Sequence, residues 1–322
     1  KDIKKIDQQE RGLAIVAQLK PLALDLARHR GNMAQFLSGS VERESEILTL
    51  EKNIDAAFSS IKQSTAANSY DVVNLNELLQ QWQELKLSSA QSIGGAKNFQ
   101  SHTDLIDSVH YIISAVATDF ELITQRSHTN YYLESLIASG IPKLEEAIGQ
   151  LRGKGAGALV DKVVTSNEKI IIGSLLAAAK NNNKNVSRDL EWLFKETDIR
   201  DQLSASLQSY RNIVQQFMDM ANNQVLEPEQ VNISNAAFFE IGTKAIDALS
   251  IFDGQITAEF QKRIHEERKA EYRQNLMLML LACIVTGFGL YFCFGILTSL
   301  NNNASLLSQI SHRLKEGDFS AQ

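Results

Sequence analysis

A chain of 322 residues, 44% hydrophobic and 22% charged, has ordinary globular composition and is long enough to bury a sizeable core. Its net charge of -6, without a basic stripe interleaved with aromatics, makes nucleic acid an unexpected partner. Both cysteines, Cys283 and Cys293, fall in one apolar stretch, so the remainder of the chain has no disulfide, no thiolate zinc ligand and no cysteine nucleophile.

Only three prolines occur, Pro21, Pro142 and Pro228, while Leu, Ala, Glu, Gln and Lys are abundant and no period-2 run is bounded by turn residues. The expected fold class is all-α. The chain starts at Lys1 without a signal peptide and reads as a fragment, with an N-terminal anchor expected before it.

The first helix is predicted from Ile3 to about Leu37, roughly 50 Å at 1.5 Å per residue, with a bend at Pro21. Past the proline its apolar stripe runs Leu19, Leu22, Leu26, Arg30, Met33, Leu37, which places Arg30 on the inward face. Ser38-Gly39-Ser40 is a turn, and a second helix turns Ile47, Leu50, Ile54, Phe58 and Ile61 inward. Asn68-Ser69 breaks that pattern. A third helix carries Val72, Leu75, Leu79, Trp82 and Leu85 and ends in the Ser88 to Gly95 stretch. The fourth has the most regular seam: Phe99, His102, Ile106, Val109, Ile113, Val116, Phe120 and Ile123 alternate steps of three and four, with His102 on the seam.

Tyr131-Tyr132-Leu133 opens a short helical piece, and Gly140-Ile141-Pro142 restarts the chain near a helix N-terminus. Between Lys143 and Leu159, the residues Gly149, Arg152, Gly153, Ala156 and Gly157 form a strip of small side chains with one arginine, where backbones can approach closely. A sixth helix is expected to about Lys180, then a polar turn at Asn181 to Asn185. Ser187 would cap a long seventh helix with Leu203, Leu207, Tyr210, Val214 and Phe217 inward. An eighth starts near Asn235, shows Phe238, Ile241, Ala245, Leu249, Phe252, Ile256, Phe260 and Ile264, and meets no proline before the apolar stretch.

That stretch, Leu276 to Leu297, contains no charged residue and is long enough to cross a bilayer as a helix. Residues 275–297 are assigned as a transmembrane helix, with a helical domain over 1–274 before it and a short helical segment over 298–322 after it. The helical period continues through Leu297, Leu300, Ala304, Leu307, Ile310 and Leu314 and ends at Glu316-Gly317-Asp318-Phe319. Because the first and last helices are each too long for one bundle layer, residues 1–274 are expected as two stacked four-helix bundles of long up-and-down helices.

No enzymatic motif survives inspection. Gly149-Gln-Leu-Arg-Gly153-Lys154-Gly155 lacks the spacing and terminal Ser or Thr of a phosphate-binding loop, and no strand precedes it. The six histidines, His29, His102, His110, His128, His265 and His312, show no HExxH, and Asp107 with His110 reads as a surface pair. No metal or other cofactor is expected. His102 can be a satisfied core histidine or a ligand contact, and Arg152 a solvated helix-end arginine or a ligand contact. Arg30 must meet a carboxylate, reach water, or face an anion-receiving pocket, since burying an unpaired guanidinium costs several kcal/mol. With no acidic partner visible on the stripes, the anion pocket is the expectation.

His29-Arg30-Gly31, Trp82, Phe99 with His102, Leu105-Ile106, Tyr131-Tyr132-Leu133, and Pro142-Lys-Leu-Glu with Gly149-Gln-Leu-Arg152-Gly153-Lys-Gly155-Ala156 together resemble the helical periplasmic sensor region of bacterial methyl-accepting chemotaxis proteins. Helix number and length are also similar to nitrate- and nitrite-sensing and helical bimodular sensor domains. The nitrate type carries an Arg-Gly for its anion, and here both Arg11-Gly12 and Arg30-Gly31 match. Leu297 to Gln322 resemble the first helix of a HAMP linker, with Thr298-Ser299-Leu300 where a proline is usual. The resemblance implies a homodimeric, non-enzymatic chemoreceptor of the bacterial inner membrane, with two spans in the full protein and residues 1–274 periplasmic. It would bind a small ligand or a ligand-loaded binding protein and act on a cytoplasmic signalling module beyond residue 322, the chemotaxis kinase and its adaptor. It also adds Tyr131 and Tyr132 to Arg30, His102 and Arg152 as ligand-side candidates. The sensor half of a histidine kinase or diguanylate cyclase is the alternative, since such proteins reuse the same input modules. A ligand-free structural membrane coil would have no pocket between the bundles.

Overall fold

The structure is a computed structural model and describes residues 3–67, 75–90, 94–122, 128–160, 163–195 and 199–316. Among these no strand occurs and the chain is almost entirely helical. Val72, Ile123, the Asn68-Ser69 break and Gly317-Asp318-Phe319 lie outside the described residues.

The helices are α1 (Ile3–Leu37), α2 (Glu44–Ala67, entered by a 3-10 turn at Val41–Arg43), α3 (Leu75–Ala90), α4 (Gly95–Asp119), α5 (His128–Ser135), α6 (Ile141–Ala158), α7 (Ser166–Lys195), α8 (Ile199–Met220) and α9 (Asn235–Lys315). Pro21 lies within α1 on an exposed position, and the helix is unbroken there. Between α5 and α6 the chain stays helical through a widened π turn, Leu136–Gly140, just before Pro142. A proline has no N–H to give the carbonyl four residues back, and the wider turn absorbs that mismatch.

The chain divides by packing into two units, Asp2–His265 and Glu266–Gln322 with Lys1. In the first, α1 packs on α4, α2 and α6, α3 on α4, and α6 on α7, around one continuous apolar core. Tyr210 of α8 stacks on Phe252 of α9, and Phe217 lies against Phe238. Burial of the large aliphatic and aromatic side chains on these stripes, about 1.5 to 3 kcal/mol each, is the main term holding the helices together.

Three expectations are corrected. The Asn181 to Asn185 run is not a turn: α7 passes through it without interruption. Its buried stripe steps from Ala179 to Val186, and Asn183 takes the intervening slot, accepting from the Tyr210 hydroxyl at 3.5 Å, while Asn182 donates to the Lys143 carbonyl at 3.0 Å. Neighbouring helices therefore give these amides partners that a turn would otherwise supply. The long seventh helix expected from Ser187 is correspondingly the end of α7 followed by α8. On α3, Leu78 is buried and Leu79 only partly so, which shifts the inward face by one residue.

The second unit consists of the continuation of α9. The helix is unbroken from Asn235 to Lys315, and its last buried residue is Ile264. It contains the one stretch among the described residues that is long and apolar enough to cross a membrane, and none of that window is buried. Leu276, Leu280, Phe288, Phe292 and Leu297 are all more than half exposed, an apolar band of the kind that lipid covers.

Candidate functional site: a buried polar layer and the cleft beside it

Within the first unit, α1 turns His29 and Arg30 into the core, α4 adds His102 and Thr103, and α6 adds Glu146 and Arg152. His29, Arg30, His102 and Arg152 are each at most 1% exposed. Polar groups this deep persist only when hydrogen-bonded or paired.

Arg30 is paired. Its Nη1 and Nη2 donate to the two oxygens of Glu146 at 2.5 and 3.0 Å, Nη1 also donates to Thr103 Oγ1 at 2.9 Å, and the guanidinium carbon stands 4.8 Å from the centre of the Phe99 ring. Gln150 donates to the same carboxylate at 2.7 Å. The expectation that Arg30 lacks an internal acidic partner is thus corrected. Glu146 had a legible signal: Pro142, Glu146, Gly149, Gly153 and Ala156, all buried, follow steps of four and three, so the acid lies on the small-residue strip itself. A Cβ on Gly149 would stand 3.0 Å from Arg30 Nη2, so the strip accommodates the arginine. At Gly153 and Gly155 it accommodates the rings of Phe99 and Phe238. Side chains of neighbouring helices, rather than backbones, fill those positions.

His29 and His102 form a chain whose proton positions follow from their partners. His102 Nδ1 lies 2.8 Å from the Asn98 carbonyl, which can only accept, so this nitrogen carries the proton and Nε2 is an acceptor. His29 Nδ1, 2.7 Å away, must then donate to it. The His29 Nε2 atom has no hydrogen-bond partner and stands 3.6 Å from a Glu51 oxygen. Burial, and then the neighbouring His29 and Arg30, hold the His102 pKa well below the ordinary histidine range, keeping it neutral. Trp82 meets His29 edge to face with ring centres 5.1 Å apart.

Arg152 differs from Arg30. It is no solvated helix-end residue, and it has no carboxylate: Nη1 donates to Thr243 Oγ1 at 3.0 Å, Nη2 to the Ala27 carbonyl at 3.2 Å, and buried Nε has no partner. Burial, and next the Arg30 charge, push its pKa down to about 9. The guanidinium lies 4.6 Å from the centre of the Phe239 ring, against which Arg43 also lies at 5.3 Å. These groups line a cleft of about 690 Å³ walled by α1, the entry to α2, α6 and the first turns of α9.

A second polar group ties α1 to α9. Lys20 forms a nearly buried ion pair with Asp253 and donates to Thr257 Oγ1 at 3.2 Å. Half-buried Glu145 has its pKa pushed up by burial and by the Asp253 charge.

Of the five ligand-side candidates, Arg30 and Arg152 share the polar layer, and His102 belongs to the histidine chain beside it. Tyr131 and Tyr132 lie elsewhere: Tyr132 stacks against Trp192 of α7 with ring centres 6.4 Å apart, Tyr131 is exposed, and neither lines the cleft. Phe239, Thr243 and Arg43 were not legible as site residues, because nothing local marks which residues of α9 and of the 3-10 turn before α2 lie beside Arg152. Comparison with protein-family models, with curated proteins and with solved structures finds no match.

Proposed function

We propose that this chain is the sensor region of a transmembrane chemoreceptor that binds a small ligand outside the cytoplasm and transmits occupancy through a membrane helix to a HAMP linker. The observation that carries the reading is that Phe239, Thr243 and Asp247, which wall the cleft, and the apolar stretch from Leu276 to Leu297 belong to one unbroken helix. A helix that continues from the cleft into the apolar stretch is a path along which a displacement can pass. A cleft floored by a cation also supports a ligand-binding module over a ligand-free coil. In this reading residues 1–274 are periplasmic, arranged as two stacked bundles, the protein is a homodimer in the inner membrane, and residues 298–322 begin the linker to a cytoplasmic module.

Two measurements test it. Cysteines placed at Gln216 and at Ser308 in intact cells should differ, a membrane-impermeant maleimide labelling the first and not the second. In membranes, Cys283 of two copies should cross-link on mild oxidation. Labelling of both positions from outside, or cross-linking that never exceeds that of an unrelated membrane protein, would sink the reading.

A further inference from the structure

The cleft beside the polar layer is lined by four basic and three acidic side chains, and six of these seven cancel in pairs. Arg28 donates to Asp247 at 2.9 Å, Arg43 to Glu46 at 3.4 Å and Lys244 to Glu240 at 2.7 Å. Arg28 also reaches Asp25, on its own helix and outside the cleft lining, at 3.3 Å. The seventh is Arg152. A guanidinium has five N–H donors, and only two of this one are engaged, by Thr243 and by the Ala27 carbonyl.

Space for this cation is built into two helices. A Cβ on Gly31 would stand 2.6 Å from Arg152 Nη2, and one on Gly242 would stand 2.7 Å from its Cγ. Two further lining groups are unsatisfied: Asn32, 3% exposed, donates its amide to the Arg28 carbonyl at 3.0 Å and leaves Oδ1 buried without a partner, and Arg43 Nε is likewise buried without one. Among its lining side chains the cleft therefore has one cation without a carboxylate partner, buried unpartnered atoms at Arg152 Nε, Arg43 Nε and Asn32 Oδ1, and an apolar wall from Leu50 and Phe239. At about 690 Å³ it exceeds a bare inorganic ion and suits an organic molecule.

We infer that the cleft binds a small organic monocarboxylate, its carboxylate on the free N–H groups of Arg152 and a hydroxyl or amide donor of the same molecule on Asn32 Oδ1. Planar two-oxygen anions match a guanidinium edge, and a single charge gives the one lining cation without a carboxylate its partner. A dianion would bring a second negative charge for which no lining cation is left unpaired.

The test uses the whole chain in lipid nanodiscs and isothermal titration at constant ionic strength, with lactate as the probe, propionate lacking the hydroxyl, malonate doubling the charge and lactamide removing it. Lactate should bind saturably, propionate and malonate about tenfold more weakly or worse, and lactamide not at all. Arg152→Gln should weaken lactate at least about tenfold. Glu240→Gln, at an exposed position, frees Lys244 as a second lining cation without a carboxylate, and should shift preference toward malonate by about tenfold. Absence of saturable lactate binding, unchanged affinity in a folded Arg152→Gln, or an unchanged lactate-to-malonate ratio in Glu240→Gln each overturns the proposal. The last arm decides even if Arg152→Gln does not fold. The proposal depends on the receptor reading only for what occupancy does, and Cys283 cross-linking separates the two. Binding that leaves cross-linking unchanged fails the receptor reading and leaves the site standing; a lactate-induced change that survives Arg152→Gln fails the site alone.

Discussion

Arg30 of α1 and Glu146 of α6 form a two-pronged ion pair at 2.5 and 3.0 Å in the core of the first unit, with 1% and 7% of their side chains exposed. Each charge is tolerable at that depth only because of the other. Neither is then free to pair with a further charge, and Arg152 is left as the cation of this layer without a carboxylate.

Removing one partner should strand the other. Arg30→Ala is expected to destabilise the ligand-free protein by about 3 to 5 kcal/mol, whereas replacing both, as Arg30→Met with Glu146→Leu, should recover most of that loss. Thermal or urea unfolding of the three proteins checks it. An Arg30→Ala variant as stable as the wild type would mean that the pair contributes nothing.

Glu134 of α5 is 5% exposed, and burial pushes its pKa up to about 7 from the ordinary 4.5. Between these values the folded protein holds a proton that the unfolded chain has released, so stability is greatest below about pH 4.5 and falls as pH rises to about 7. The contribution is on the order of 3 kcal/mol. Glu134→Gln should remove this slope and raise the melting temperature at pH 8; a variant whose melting still tracks the wild type across this range would contradict it.

His102 acts with the opposite sign. Its folded pKa lies well below the ordinary 6.5, so below that value the unfolded chain binds a proton that the fold refuses, and stability falls with acidification. Nitrogen-15 spectra of labelled imidazoles should show His102 neutral with its proton on Nδ1 at pH 5.5. An imidazolium pattern there would refute the proton assignment along the His29 chain.

Two glycines on α9 should respond oppositely to alanine. At Gly254 an added Cβ meets nothing within 4 Å, so Gly254→Ala should stabilise the helix by about 0.5 to 1 kcal/mol. At Gly242 it would meet the Arg152 stem at 2.7 Å and the Phe217 ring at 3.0 Å, so Gly242→Ala should cost about 1 to 3 kcal/mol. Equal melting shifts for the two variants would show that the slot for Arg152 is not closely packed.

Much of the helical pattern was legible from period alone. The seams on α2, α4 and α8 are buried at the described positions that steps of three and four mark, and the run from Leu276 to Leu297 stands out because it carries no charge and is long and apolar enough as a helix to cross a membrane. Helical period is a local property, set by one chain's own geometry. What a side chain meets across a helix interface is not local. Arg30 and Arg152 look alike in sequence, two arginines on otherwise apolar or small-residue faces, and only the approach of α6 to α1 and α9 gave the first a carboxylate and the second none. The asparagine run of α7 reads as a turn until Tyr210 and the Lys143 carbonyl are found beside it. Tertiary packing decided these cases because the cost of a buried polar group depends on its partner, and here the partners lie 27 to 116 residues away.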